Sequence, residues 1–550
     1  FKSSLVRDAA YESLLSAQRA AYHLRAAEYF EENVSFDSRK PYEALIAYHY
    51  QRAGNPHKEL FYTLRAAQQA RDVYALALLD EMEAAASDDN QRYAILTQRF
   101  EVLEGRLELQ MLLGDMQAAN ADARALLPLA EKIGDDRAWT IDALLKQPEV
   151  DNLSSRSQIQ DGLRMAQEAL ALAQQIRDRG REMNSLIAIA NLYRISRDHR
   201  WREVAEQALR LARELGDQRS EVNLLLSIGS AYGMDDLERS AAYLQAALPI
   251  TQKLNDKHTE LLLLKALADQ CEREGDYVCL LEQYERKRLQ IAREIGDRVA
   301  EGFALMYIAQ TQGIYLGDYE GALPIAQEAL QITEHLTSRL YPILRLAQIQ
   351  ALMGRYEDAQ HSLELAQPVS DLEINEVGRA GAALVTAILG NLLGDEAHLR
   401  QALALCDQVS QMVSDQLISR QYEMAAQCER SAAHLGLAKL AGDEGARQAH
   451  LNQALEASRE AVRIYQEFGF TQLIECSGEE IYYRHSQVLA AHGQSGEARE
   501  YLERAYQRMM LTYERIPVDS PFRRTYLENI ALHREIRASY QAILLGASRP

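Results

Sequence analysis

The sequence predicts an all-α solenoid of antiparallel helix hairpins, and three observations carry that prediction. A short phrase recurs: Ala130 to Asp135 reads Ala-x-x-Ile-Gly-Asp, and it returns as Ile176-Arg177-Asp178, Leu215-Gly216-Asp217, Leu254-Asn255-Asp256 and Ile295-Gly296-Asp297. Its aspartates are spaced 43, 39, 39 and 41 residues apart, a period expected of one helix-turn-helix unit per repeat. Breakers are few: 11 prolines and 28 glycines stand in 550 residues otherwise rich in Ala, Leu, Glu, Gln and Arg.

Each part of the repeat has a physical reading. Gly134, Gly216, Asn255 and Gly296 stand where a helix should end, and these residue types tolerate the left-handed conformation that closes a helix. The aspartate that follows is suited to cap the next helix by accepting a backbone N–H bond. Arg177 breaks the pattern, so that junction is expected to close differently. A second marker falls at mid-repeat: Gly275-Asp276-Tyr277, Gly317-Asp318-Tyr319-Glu320-Gly321-Ala322 and Gly354-Arg355-Tyr356-Glu357-Asp358-Ala359, with weaker versions at Gly114-Asp115-Met116 and Gly493 to Ala498. It reads as the tight turn inside one hairpin. Tyr319 and Tyr356 are expected to wedge between helices, and Ala322 and Ala359 to let them approach. Ala326, Ala329 and Leu330 continue Ala322 at helical spacing as a buried stripe.

Composition limits the function classes. A 47% apolar fraction is ample for a packed protein, and a core that grows along one axis escapes the size limit of a single globule. The net charge of -20 is spread among mixed signs, which disfavours nucleic acid, since phosphate neutralisation needs a basic face. The longest apolar stretch, Gly381 to Leu393, is too short for a membrane span. Cys271, Cys279, Cys406, Cys428 and Cys476 include no Cys-x-x-Cys pair, and an odd count points to buried thiols rather than a disulfide framework. A cytoplasmic location without a signal peptide is expected. The opening Phe1 is expected of a piece of a longer polypeptide.

The residues of Gly317 to Leu330, with Leu346-Ala347 and Leu267-Ala268 at the Leu-Gly position of first helices, resemble the tetratricopeptide repeat family. That resemblance implies a right-handed superhelix of about ten or eleven hairpins whose first helices line a concave groove. Each hairpin is then expected to bury its stripe only against its neighbours. The ends resemble a more specific group. Phe1 to Leu15, Leu45 to Gly54 with Tyr48-His49-Tyr50, and Ile516 to Ile536 with Phe522-Arg523-Arg524, Tyr526-Leu527-Glu528-Asn529 and His533-Arg534-Glu535-Ile536 look like segments of bacterial STAND proteins, signal-transduction ATPases with numerous domains. The group usually has His where Ser3 stands. The resemblance implies an ATPase module upstream in the same polypeptide, and beyond it a class III nucleotide cyclase or a Ser/Thr kinase.

The organisation expected is N-terminal hairpins over 1–132 leading from the ATPase module, a regular block over 133–367, irregular hairpins over 368–512 and a C-terminal capping helix over 513–550. No phosphate loop, dinucleotide fingerprint, His-Glu-x-x-His, nucleophile elbow or kinase signature is present, so the chain is read as non-enzymatic, with no cofactor and no metal. Lone histidines such as His49 read as packed helix residues. Cys271 and Cys279 lack a second pair at zinc-ligand spacing.

The candidates are for partner binding. Asn191, Tyr193, Arg194, Arg197, Tyr232, Tyr307 and Tyr315 lie on or just after first helices. Tyr joins an apolar body to a polar tip, Asn191 could bond a ligand backbone, and guanidinium groups grip carboxylate or phosphate bidentately. The competing reading makes the tyrosines ordinary wedges. It makes the basic clusters, Arg194 to Arg202 and Arg286-Lys287-Arg288, solvated ion-paired helix ends. The function expected is a sensor or scaffold arm that binds a protein, peptide or small effector in its groove and regulates the upstream ATPase. The alternatives are a self-association scaffold and the effector-binding region of a large ATP-dependent transcriptional regulator.

Overall fold

The computed structural model describes residues 16–33, 43–53, 58, 62, 75–112, 116–134, 136–150, 156–196, 198–233, 236–334, 339–372, 376–412, 417–467 and 476–547. Phe1 to Leu15, Gly54, Gly114-Asp115, Asp135 and Arg197 lie outside them. Within them the chain is helical, without a strand, and the fold class is the one expected: an all-α, tetratricopeptide-like solenoid of helix hairpins. It divides into two compact units, Phe1–Asp217 and Gln218–Pro550.

The first unit contains α1 (Ser16–Asn33), α2 (Glu43–Ala53), α3 (Asp89–Leu112), α4 (Met116–Ile133), α5 (Arg137–Val150), α6 (Arg156–Ile176), α7 (Arg179–Ile195) and α8 (Trp201–Leu215). Small residues set its helix contacts: Ala166, Ala169 and Ala173 of α6 are fully buried. Arg181 of α7 stitches two hairpins together. Its Nε and Nη2 donate to Asp142 of α5 at 2.9 and 2.6 Å, and its Nη1 donates to Asp178 at 2.8 Å.

In the second unit the regular repeats run through α9 (Gln218–Tyr232), α10 (Leu237–Leu254), α11 (Lys257–Glu274), α12 (Arg286–Ile295), α13 (Arg298–Ala309), α14 (Tyr319–Thr333), α15 (Leu340–Leu352) and α16 (Tyr356–Leu372). There follow α17 (Glu376–Leu393), α18 (Glu396–Met412), α19 (Leu417–Leu440), α20 (Glu444–Glu467), α21 (Gly478–Ala491), α22 (Ser495–Arg515), α23 (Phe522–Glu528) and α24 (Ala531–Ala547). Two π-helical stretches interrupt the regular pattern, Leu280–Glu285 before α12 and Gln310–Tyr315 after α13. Such stretches absorb extra residues without breaking the helix.

The recurring phrase works as a two-way joint. At Asp178, Asp256 and Asp297 the backbone N–H reaches back to the ending helix, donating to Ala173, Thr251 and Ala292 carbonyls at 3.0, 3.2 and 2.9 Å. The carboxylate of the same residue accepts from Arg181, Thr259 and Ala300 N–H at 2.9, 3.1 and 2.9 Å. One aspartate thus ends one helix and starts the next, which holds the turn to a single geometry. Arg177 corrects the expectation set out above. It adopts the left-handed conformation itself, at φ 57°, and closes its junction as glycine does elsewhere. An L-residue there is strained, so Arg177→Gly is expected to raise stability by about 0.5–1 kcal/mol, read as a rise in the urea midpoint of the first unit.

Ala322, Ala326 and Ala329 of the expected stripe are buried, Leu330 is only partly so, and Ala359 is also buried. Tyr319 is buried as a wedge, whereas Tyr356 lies exposed at the start of its helix. The larger departure concerns the core of the second unit. One continuous cluster joins Tyr277, Leu281, Tyr315 and Leu316 to Leu384, Tyr465, Tyr526, Ile530 and Ile536. Hairpins here do not bury their stripes only against sequence neighbours. The terminal segment is two helices rather than one, and it docks on a turn some two hundred residues earlier. Thr525 Oγ1 donates to the Leu316 carbonyl at 2.6 Å, and Asn529 Nδ2 donates to the Gly317 carbonyl at 2.9 Å.

Candidate recognition face

The α11–α13 region of the second unit gathers charge around one aromatic ring. Lys265 and Asp269 stand a turn apart on α11 and form an ion pair. Lys265 Nζ lies 4.5 Å from the ring centroid of Tyr307 on α13, and the Arg288 guanidinium of α12 approaches the same ring at 5.8 Å. Arg288 Nη1 donates to both carboxylate oxygens of buried Glu285, at 2.7 and 2.6 Å. A cation above an aromatic face is attracted to it, and partial burial strengthens the attraction.

Burial opposes the charge on Lys265, but Tyr307, Asp269 and Glu272 outweigh it and the ammonium pKa rises. Burial pushes the carboxyl of Glu285 up against the pull of Arg288, and it pushes the phenol of Tyr307 up as well. The Lys265 and Asp269 side chains keep 27% and 39% of their surface open, so this pair can be reached from solvent.

Next to this face the hydrogen bonds turn inward. Tyr315 is buried and stacks on Tyr277 with centroids 4.4 Å apart. Its hydroxyl donates to Glu272 Oε1 at 2.9 Å, and Gln310 Nε2 donates to the same oxygen at 3.1 Å. The second π-helical stretch supplies Gln310 and Tyr315 to this junction.

The other predicted positions are placed as follows. Tyr193 is buried, with the Arg200 guanidinium 4.5 Å above its ring, and Arg200 in turn pairs with Asp198 at 2.6 Å. Asn191 and Arg194 are exposed on α7. Tyr232 is buried at the end of α9 and stacks on Tyr243 at 5.9 Å. The basic cluster Arg286-Lys287-Arg288 is held in ion pairs with Glu282, Glu260 and Glu285. Of the predicted tyrosines, Tyr307 alone among the described ones combines partial exposure with flanking cations. Lys265 and Asp269, its partners, were not singled out from sequence. Their spacing of four on a first helix, one repeat before Tyr307, was the available signal.

No helix among the described residues is long and apolar enough to cross a membrane. No protein-family profile matches the chain, and no curated protein matches it. Among solved structures, the apo form of RapI is similar at 14% identity and TM-score 0.49, over 68% of this chain and 98% of its own. A STAND protein with a tetratricopeptide repeat sensor, PH0952 from Pyrococcus horikoshii, is similar at 17% identity and TM-score 0.42, over 84% of this chain and 67% of its own.

Proposed function

We propose that the chain is a non-enzymatic recognition arm of a STAND-type signalling ATPase, and that it binds a protein, peptide or small effector at the Lys265–Asp269–Tyr307 face. The observation that carries this reading is the convergence of a held lysine, a solvent-reachable carboxylate and an aromatic ring from successive first helices. Packing fixes these groups before any partner arrives, so little side-chain entropy is lost when one binds. A partner carboxylate can pair with Lys265 while its apolar part lies against Tyr307.

Regulation follows only if the effector binds one arrangement of the arm more tightly than another. The residues placed to read that difference are those of the Tyr277–Tyr315–Glu272 junction, adjacent to the recognition face and continuous with the core that reaches α23 and α24.

Binding is tested by titrating an array of acidic, neutral and basic peptides against the chain. Acidic peptides are expected to bind best, and Lys265→Ala or Tyr307→Leu is expected to weaken them about tenfold or more. Equal affinity of both variants and the parent removes the assigned face. The sensor role is tested in the full-length protein with and without this arm. Equal, effector-independent output from both would refute it.

A further inference from the structure

We propose that Cys271 and Cys279 form a two-electron redox site, a dithiol that hydrogen peroxide closes to an intrachain disulfide across the α11–α12 turn. Their sulfurs already lie 2.9 Å apart, and both cysteines are free. A disulfide bond is about 2.05 Å long, so closure needs a movement of less than about 1 Å.

The backbone holds the two residues in register. Asp276 donates its N–H to the Cys271 carbonyl at 2.8 Å and accepts the Cys279 N–H on Oδ1 at 3.0 Å. Both side chains are half-buried and reachable by a small oxidant, whereas Cys406, Cys428 and Cys476 are buried. No third His, Cys, Asp or Glu completes a metal site with them among the described residues.

The two thiols are not equivalent. Cys279 lies in the first helical turn after the Asp276 cap, and it accepts the Cys271 S–H. The Cys271 S–H bond to it lowers the Cys279 pKa and raises that of Cys271. Cys279 is therefore the attacking group. Its thiolate takes one peroxide oxygen, the O–O bond breaks, and hydroxide leaves to be protonated as water. Cys271 then attacks the resulting sulfenic sulfur, the S–S bond forms, and the departing hydroxide takes the Cys271 proton as a second water. The two sulfurs lose two electrons and peroxide gains them.

The bond would staple the end of α11 to the turn bearing Tyr277, the residue stacked on Tyr315. Oxidation would thereby lock the junction next to the recognition face.

Arg273 lies between the cysteines, so trypsin separates them into peptides 266–273 and 274–286 unless a disulfide joins these. The folded chain is treated with hydrogen peroxide, the remaining thiols are blocked with N-ethylmaleimide, and the digest is analysed without reductant. The expected product is the two peptides joined and separable by dithiothreitol, forming about tenfold faster or more than any other cysteine pair. Cys271→Ser is expected to leave a dimedone-trappable sulfenic acid on Cys279. Alkylation of both cysteines after peroxide, oxidation without the link, or a link that forms only in urea would each overturn the proposal. A link between Cys428 and Cys476 formed at the same rate would overturn it as well.

Discussion

Gly317→Ala is expected to detach α23 and α24 from the α13–α14 turn and to cost about 3 kcal/mol of stability in the second unit. Two penalties combine at this position. Gly317 has φ +74°, where an L-residue is strained by about 1 kcal/mol. A Cβ there would also sit 2.6 Å from the Thr525 carbonyl oxygen and 2.9 Å from Ile530, so backbone must yield. Gly296 supplies the control, since it has φ +70° but nothing within 4 Å of a Cβ. Gly296→Ala should therefore show the conformational penalty alone. Urea unfolding measures both costs, and hydrogen exchange over 522–547 shows whether the terminal helices loosen only in Gly317→Ala. Equal costs for the two variants would mean that the terminal docking contributes nothing. Thr525→Val removes the bond to the Leu316 carbonyl without straining the turn, and about 1 kcal/mol is expected from it.

Acid is expected to destabilise the α18–α22 region as pH falls below about 6.5. His434 and His485 are buried, and both have pKa values lowered to about 4. Burial is the main cause in each, helped by His450 and Arg430 at His434 and by Arg459 at His485. His434 Nδ1 lies 3.2 Å from His450 Nδ1, and His485 Nδ1 lies 2.9 Å from Ser458 Oγ. The unfolded chain takes up these protons near the ordinary histidine pKa of about 6.5, while the folded chain refuses them until about 4. The stability they contribute is complete above pH ~6.5 and is lost as pH falls toward 4, up to about 3 kcal/mol for each histidine. Glu429 acts in the opposite direction. Burial, then the nearby Glu480, raises its carboxyl pKa, so its contribution is full in acid and fades as pH rises through that raised value. Calorimetry between pH 8 and 4, with His434→Gln and His485→Gln beside the parent, reads the effect. The parent should lose stability steeply below pH 6.5, and each variant should flatten the curve. His434 and His485 imidazole resonances that titrate near 6.5 in the folded chain would end this account.

The repeat joints were legible because their chemistry is local. A left-handed residue followed by a capping aspartate needs only its own few neighbours, so Gly216-Asp217, Asn255-Asp256 and Gly296-Asp297 announce their geometry in the sequence. Arg177 was misread because the surrounding hydrogen bonds, to the Gln174 and Ala173 carbonyls, impose the same closure on a residue that does not favour it. The alanine stripe of α14 was legible for a related reason, since helical spacing shows directly which side chains share a face. Tyr356 was not, because its turn type says nothing about whether a neighbour covers it.

The candidate face was only partly visible. Tyr307 was named from its place on a first helix, but Lys265, Asp269 and Arg288 gather around it through the packing of α11, α12 and α13. Tyr315 and Tyr232 had the same sequence credentials as Tyr307, yet stacking on Tyr277 and Tyr243 draws them into the interior.

By itself the sequence determined that this chain is an all-helical repeat protein, where its hairpins turn and which small residues let them pack. Those properties arise from interactions within a few residues or one helical turn. The tertiary structure alone decided that the second unit returns on itself at Leu316 and Gly317. It also decided which tyrosines stay accessible. Each of those outcomes depends on groups from different helices brought together by packing, which no local pattern records.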